Sequence, residues 1–317
     1  MSFNRLRRAI LVAACTSSAL LVACGGGDVV SQLTPSRIIV FGDGFSDLGQ
    51  RGNRYTVNDG SVNIWTQQLA VRYGVPLNTA AAGGLSYATG NARIVTRPGA
   101  ASDAGATPVK EQIDTFLTAQ TVGAQDIVIV NGGIGDVVTE VAGLNAGTQT
   151  REQTLDNLAR AGREMGAQVR RLVQSGAQHV VVVGSYNLGR SPWAIASRQE
   201  SLLQDASRRF NEEMLVSIVD LGDRVLYVDS ALFFNLVTSS PPSYRFTNAT
   251  TPLCSSVDAG PGIGIGAGQV NSALCTPATI PAGRDPLAYV FADAVYLTPF
   301  AQRSFGDYAY DRIRQRW

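Results

Sequence analysis

Arg37-Ile38-Ile39-Val40-Phe41-Gly42-Asp43-Gly44-Phe45-Ser46-Asp47-Leu48-Gly49 is the stretch on which the fold turns. Its first half is an unbroken apolar run and its second a cluster of Gly, Asp and Ser. That reads as a strand buried on both faces that runs into a turn. The pattern recurs at Asp126–Val130, closing on Gly132-Gly133, at His179–Gly184 and at Arg224–Asp229. Between these strands lie helical spacings. Ile64 to Tyr73 is one. Arg151 to Ser175 is another, with Leu155, Leu158, Met165, Val169, Leu172 and Val173 on one face. Glu200 to Val219 is a third. A last helix is expected from about Pro299 to Arg314, opened by a proline whose missing N–H costs nothing there. Strands separated by helices imply an α/β domain with a central parallel sheet covered on both faces. The site of such a sheet lies at the carboxyl ends of its strands.

The termini of this domain are equally readable. Arg5, Arg7 and Arg8 precede an apolar run from Ala9 to Ala23, too short to span a bilayer comfortably and placed where a secretory signal sits. Leu21-Val22-Ala23-Cys24 resembles the bacterial lipobox, which implies cleavage after residue 23 and lipid on Cys24. Gly25, where a sorting Asp would stand, points to the outer membrane. The glycines after Cys24 and the residues up to Pro35 read as a tether, leaving 36–317 as one domain. Ser239 to Asp285 is rich in Pro, Gly, Ser and Thr and reads as an irregular insertion. Once Cys15 leaves with the signal and Cys24 takes lipid, Cys254 and Cys275 remain, and in an exported chain such a pair reads as a disulfide.

Composition excludes several classes of function. The net charge is +1 with no basic run, so nucleic acid is not the expected partner. A single histidine and no Cys/His cluster make a metal centre unexpected, and no cofactor motif is present.

Four blocks, in order, carry a resemblance. Phe41 to Gly49 resembles the first block of the SGNH/GDSL ester hydrolases, F-G-D-S-L-S-D-x-G. Ser86-Tyr87-Ala88-Thr89-Gly90-Asn91-Ala92-Arg93 resembles the second, N-Y-A-x-G-G-A-R. Val130-Asn131-Gly132-Gly133-Ile134-Gly135-Asp136 resembles the third, which ends G-x-N-D. Asp293-Ala294-Val295-Tyr296-Leu297-Thr298-Pro299 resembles the last, D-x-x-H-P-T. Gly176-Ala177-Gln178-His179 and Asn187-Leu188-Gly189 match a further stretch of bacterial members. The resemblance implies a three-layer α/β/α, flavodoxin-like sandwich. It also implies a Ser nucleophile, an oxyanion hole built from backbone N–H groups and an Asn, and a His oriented by an Asp.

This chain departs from the pattern where the chemistry resides. The nucleophile position is Gly44, the oxyanion Asn position Gly135 and the His position Tyr296. Asp293 and Gly90 are retained, Ser86 and Asn91 replace an Asn and a Gly, and Gly83 is a rival oxyanion donor. Removing a nucleophile or base costs on the order of 10⁶ in turnover. The expectation is a catalytically inactive lipoprotein whose cleft is kept for an ester, acyl or glycan-like ligand or an envelope protein. Gly44, Gly90, Asn91, Gly135 and Tyr296 would line that cleft, and the Gly44 N–H would sit at a helix start favourable to anions. The alternatives are an active lipase or esterase with relocated residues and a purely structural envelope protein. Ser46 should make a local structural hydrogen bond, His179 should lie at the far end of the sheet, and Tyr296 should donate to a carboxylate. Restoring Ser, His and Asn at 44, 296 and 135 should return some activity.

Overall fold

The computed structural model describes residues 33–60 and 62–317. The signal sequence, Cys24 and most of the tether lie outside the described residues.

Four strands form one parallel sheet in the order β1 (Ile38–Phe41), β2 (Ile127–Asn131), β3 (His179–Val183) and β4 (Val225–Tyr227). Ile38 pairs with Ile127, Ile127 with His179, and Val180 with Val225. Leu85–Tyr87 adds a rudimentary strand to the free edge of β1, through Val40 N–H to Leu85 O at 2.9 Å and Tyr87 N–H to Val40 O at 2.7 Å. The order therefore reverses at β1, and the switch point of the sheet lies at its carboxyl end, where an α/β fold places a ligand. Every residue of β1 and β2 is buried, as unbroken Ile/Val runs in a parallel sheet should be.

Helices cover both faces, giving a three-layer α/β/α sandwich. On one face lie α2 (Val109–Ala119), α4 (Arg151–Gln174) and α6 (Glu200–Ile218). Phe116 of α2 packs edge-on against Phe41 at 5.7 Å. On the other lie α1 (Trp65–Tyr73), α7 (Ser230–Ser239) and α8 (Pro299–Arg316), joined through the rings of Trp65, Phe234 and Phe305 around Phe45. α3 (Ile134–Asn145) follows β2, and the short α5 (Pro192–Ser197) follows β3. α4 opens with a reciprocal cap: Thr150 Oγ1 accepts from Gln153 N–H at 3.2 Å and Gln153 Oε1 from Thr150 N–H at 2.8 Å. α8 begins at Pro299 with Thr298 as its cap, 3.3 Å from Ala301 N.

The strands and the long amphipathic helices fall where the sequence puts them, within two residues. Helices α2, α3, α5 and α7 were not expected. No helix begins at Gly44 either: residues 44–46 form a turn, and the first helix after it starts at Trp65.

The insertion is irregular but not loose. Cys254 and Cys275 are bonded, their Cα atoms 6.0 Å apart, and with Val57, Leu253 and Ala292 they form a small buried cluster. Leu253 and Cys254 donate to the carbonyls of Phe291 and Ala292 at 2.9 and 3.0 Å. The insertion is thus laid directly on the last sequence block.

Candidate functional site

Four buried aspartates gather the loops at the carboxyl edge of the sheet. Asp43, just past β1, accepts from Phe45 N–H at 3.0 Å, Asn131 Nδ2 at 3.2 Å and Ile134 N–H at 3.2 Å, so it caps α3 from another part of the chain. Asp47 accepts from Gly49, Gln50 and Gly90 N–H at 2.9, 2.7 and 2.8 Å. Asp136 accepts from Ile94 N–H at 3.0 Å and Arg93 Nε at 3.2 Å. Asp293 accepts from Val295, Tyr296 and Ser272 N–H at 2.7, 2.6 and 2.9 Å. The first block thereby holds the second and third, the third holds the second, and the last holds the insertion.

Within this frame the structure brings Gly44, Gly90, Tyr296 and Asp293 together, and it fills the space between them. A Cβ at Gly44 would stand 2.8 Å from three atoms of the Tyr296 ring, including its hydroxyl. A Cβ at Gly90 would stand 1.8 Å from Cε2 of Tyr55, whose ring lies 4.9 Å from that of Tyr296. Tyr296 is 2% exposed and Tyr55 7%. Two tyrosine rings therefore occupy the pit in which a ligand was expected, and they fit because neither Gly44 nor Gly90 puts a side chain into it.

The other expected donors are engaged. The Gly90 N–H, an oxyanion donor in the expected scheme, points at Asp47. Asn91 is buried in the left-handed region (φ 61°) and donates from Nδ2 to Asp103 at 3.2 Å. Gly135 lies in the first turn of α3 against the second block: a Cβ there would be 2.2 Å from the Ala92 carbonyl oxygen. An asparagine at 135 has no room unless that block moves, which removes the expectation that Gly135→Asn could rebuild an oxyanion donor.

Tyr296 does not donate to Asp293, whose oxygens face backbone N–H groups. Burial, reinforced by the negative charge of Asp43, pushes the Tyr296 hydroxyl well above its ordinary pKa. It stays neutral and cannot serve as a base at physiological pH. Ser46 Oγ accepts the indole N–H of Trp65 at 3.1 Å. That bond is structural, as expected, but reaches across to α1 instead of staying within the turn. His179 opens β3 at the amino end of the sheet, edge-on to Trp317 at 4.9 Å. Five strand residues put it about 15 Å from the carboxyl edge, and burial lowers its pKa.

Tyr55 was not anticipated. It sits in a loop of Arg, Gly and Asn, where no periodicity or motif marks it as the partner of Gly90.

A family model of GDSL-like lipases and acylhydrolases matches residues 38–309. The chain belongs to that family. In structure it is similar to a member of the lipolytic G-D-S-L family from Veillonella parvula DSM 2008, at 12% identity over 86% of this chain and 95% of that one, with a TM-score of 0.42. It is also similar to the native aryl esterase of M. smegmatis, at 14% identity over 89% of this chain and 99% of that one, with a TM-score of 0.46. No curated protein matches it in sequence.

Two measurements check this geometry. Gly44→Ser should cost about 1–3 kcal/mol as an overpacked core substitution. Because Tyr296→His removes the atoms it strikes, the double variant should be at least about 1 kcal/mol more stable than the sum of the single effects. Strict additivity in denaturant melts would show that the two side chains do not meet. The second concerns pH. Burial raises the Asp136 carboxyl to about 7 and pushes those of Asp43, Asp47 and Asp293 up as well. In the unfolded chain these groups ionise near pH 4. For Asp136 the folded state therefore holds an extra proton between about pH 4 and pH 7, and stability should fall as pH rises through that window, the other three acting in the same direction. Carboxylates held low by arginines, such as Glu111 beside Arg97, act below it. Asp136→Asn should flatten the slope between pH 4 and 7, and an unchanged slope would contradict the assignment.

Proposed function

We propose that this chain is a catalytically silent member of its family, held in the cell envelope by lipid on Cys24, and that it binds rather than hydrolyses. The observation that carries the reading is the pairing of Gly44 with Tyr296. The nucleophile's position has no side chain, and the base's position has sent a neutral ring into the space left open. Losing nucleophile and base costs on the order of 10⁶ in turnover. Ser46 and His179 do not offer a relocated pair: one is bonded to an indole inside the core, the other stands at the opposite end of the sheet.

The filled pit also bears on where binding takes place. Gly44, Gly90, Asn91 and Gly135 are buried, so a ligand needs another opening. Two cavities of about 600 and 470 Å³ flank the loops at the carboxyl edge, large enough to favour a binding role over a purely structural one. No helix among the described residues is long and apolar enough to cross a membrane; the proposed attachment is the acyl chains alone, which suffice when several are present.

The full chain should hydrolyse p-nitrophenyl acetate no faster than an unrelated protein at equal concentration. Hydrolysis above that level that disappears in Ser46→Ala, with the melting temperature retained, would overturn the non-catalytic reading. A palmitate analogue supplied to expressing cells should label the chain, and Cys24→Ser should lose both label and membrane fraction. A membrane-bound Cys24→Ser protein would remove the lipid anchor from the proposal.

A further inference from the structure

The smaller of the two cavities has a lining with a definite chemistry. It opens at the carboxyl ends of β3 and β4, between α6 and α7, and its walls include Asn187, Arg190, Gln204, Tyr227, Asp229 and Asn235. Local bonds hold several of these groups in place. Asp229 caps α7, its Oδ1 accepting from Leu232 N–H at 2.9 Å and from the Tyr227 hydroxyl at 3.4 Å. Asn187 Oδ1 accepts from Gly189 N–H at 3.1 Å, and its Nδ2 donates to Asn235 Oδ1 at 2.9 Å.

What these bonds leave over is the informative part. Among the described residues, Asp229 Oδ2, Asn235 Nδ2, the Gln204 amide and the Arg190 guanidinium have no hydrogen-bond or ion-pair partner. They supply acceptors and donors side by side, around the half-buried ring of Tyr227. The charges balance: Arg208 is paired with Glu212 at 2.9 Å, and Arg190 faces the same cavity as Asp229. An anion would meet an unpaired carboxylate oxygen here, and an acyl chain would bury amides without partners, at a cost of about 1–3 kcal/mol each. A ligand whose every group both donates and accepts satisfies the whole wall, and hydroxyls do that.

We infer that the cleft between α6 and α7 is a binding site for an uncharged oligosaccharide. Asp229, Asn235 and Gln204 bond its hydroxyls, and Tyr227 packs against an apolar face of a sugar ring. The inference deepens the binding role proposed above and rests on it. The two fail separately, because ester hydrolysis would end the non-catalytic reading without touching this cleft.

The test is saturation-transfer NMR on the full chain, in a detergent without sugar headgroups, against chitotetraose, maltotetraose, mannotetraose and xylotetraose. Inorganic phosphate and palmitate serve as the contrasting probes. At least one tetrasaccharide should bind, with titration giving a Kd of about 1 mM or tighter. Asp229→Asn keeps a side chain that caps a helix equally well but replaces the free acceptor by a donor. It should weaken binding about tenfold at an unchanged melting temperature, and Gln204→Leu about threefold, in keeping with one charged and one neutral hydrogen bond. Silence from all four sugars overturns the assignment, as does binding that neither substitution changes. Phosphate binding that is lost in Arg190→Ala, with no sugar bound, would make the cleft an anion site instead.

Discussion

Burial of carboxylates against backbone N–H groups organises the carboxyl edge of this sheet. Asp43, Asp47, Asp136 and Asp293 are each at most 2% exposed, and a carboxylate taken out of water is tolerable only when it is well hydrogen-bonded. Each takes at least one donor from a loop distant in sequence. Asp43 reaches Ile134 across 91 residues, Asp47 reaches Gly90 across 43, and Asp136 reaches Ile94 across 42. Removing any one of them would strand N–H groups in the core and release two loops together. These aspartates answer to the fold through their backbone partners, whatever the chemistry of the site.

The residues at the family's catalytic positions then have a simple packing logic. A pit with polar walls is a void, and a fold gains by filling it. Gly44 removes one side chain and the retained Gly90 offers none, and Tyr296 and Tyr55 deliver two rings into the space. The rings pack at a tilted angle, a geometry worth about 0.5–1.5 kcal/mol beyond the area it buries. The Gly90 N–H is taken up by Asp47 at 2.8 Å. Gly135 closes the third side by letting α3 approach the Ala92 carbonyl. The result is a sealed core feature, and the accessible clefts lie beside it.

Much of the fold was legible because parallel strands buried on both faces are continuous Ile/Val runs, and α4 and α6 carry a clean 3.6-residue stripe. The missed helices lacked such a signal. Ser230–Ser239 is apolar around most of its circumference, so it shows no period. Ile134–Asn145 starts after two glycines and takes its cap from Asp43, which no local window contains. The positions of the substituted residues followed from block order, and so did their convergence. What filled the pit did not. Tyr55 is one aromatic in a polar loop, and only three dimensions place it on Gly90. The direction of Asp293, toward backbone rather than the Tyr296 hydroxyl, was likewise hidden, because it depends on Ser272 of the insertion.

The proposed non-catalytic role depends on where one ring sits. In protein carrying protonated Tyr and Gly on a deuterated background, with resonances assigned by Tyr296→Phe and Tyr55→Phe, the ring protons of Tyr296 should show strong nuclear Overhauser contacts to the α protons of Gly44. Those of Tyr55 should show them to Gly90. A Tyr296 ring with no contact to Gly44, and with its protons broadened by a soluble paramagnetic agent, would mean that the pit is open and the residues around it are free to bind.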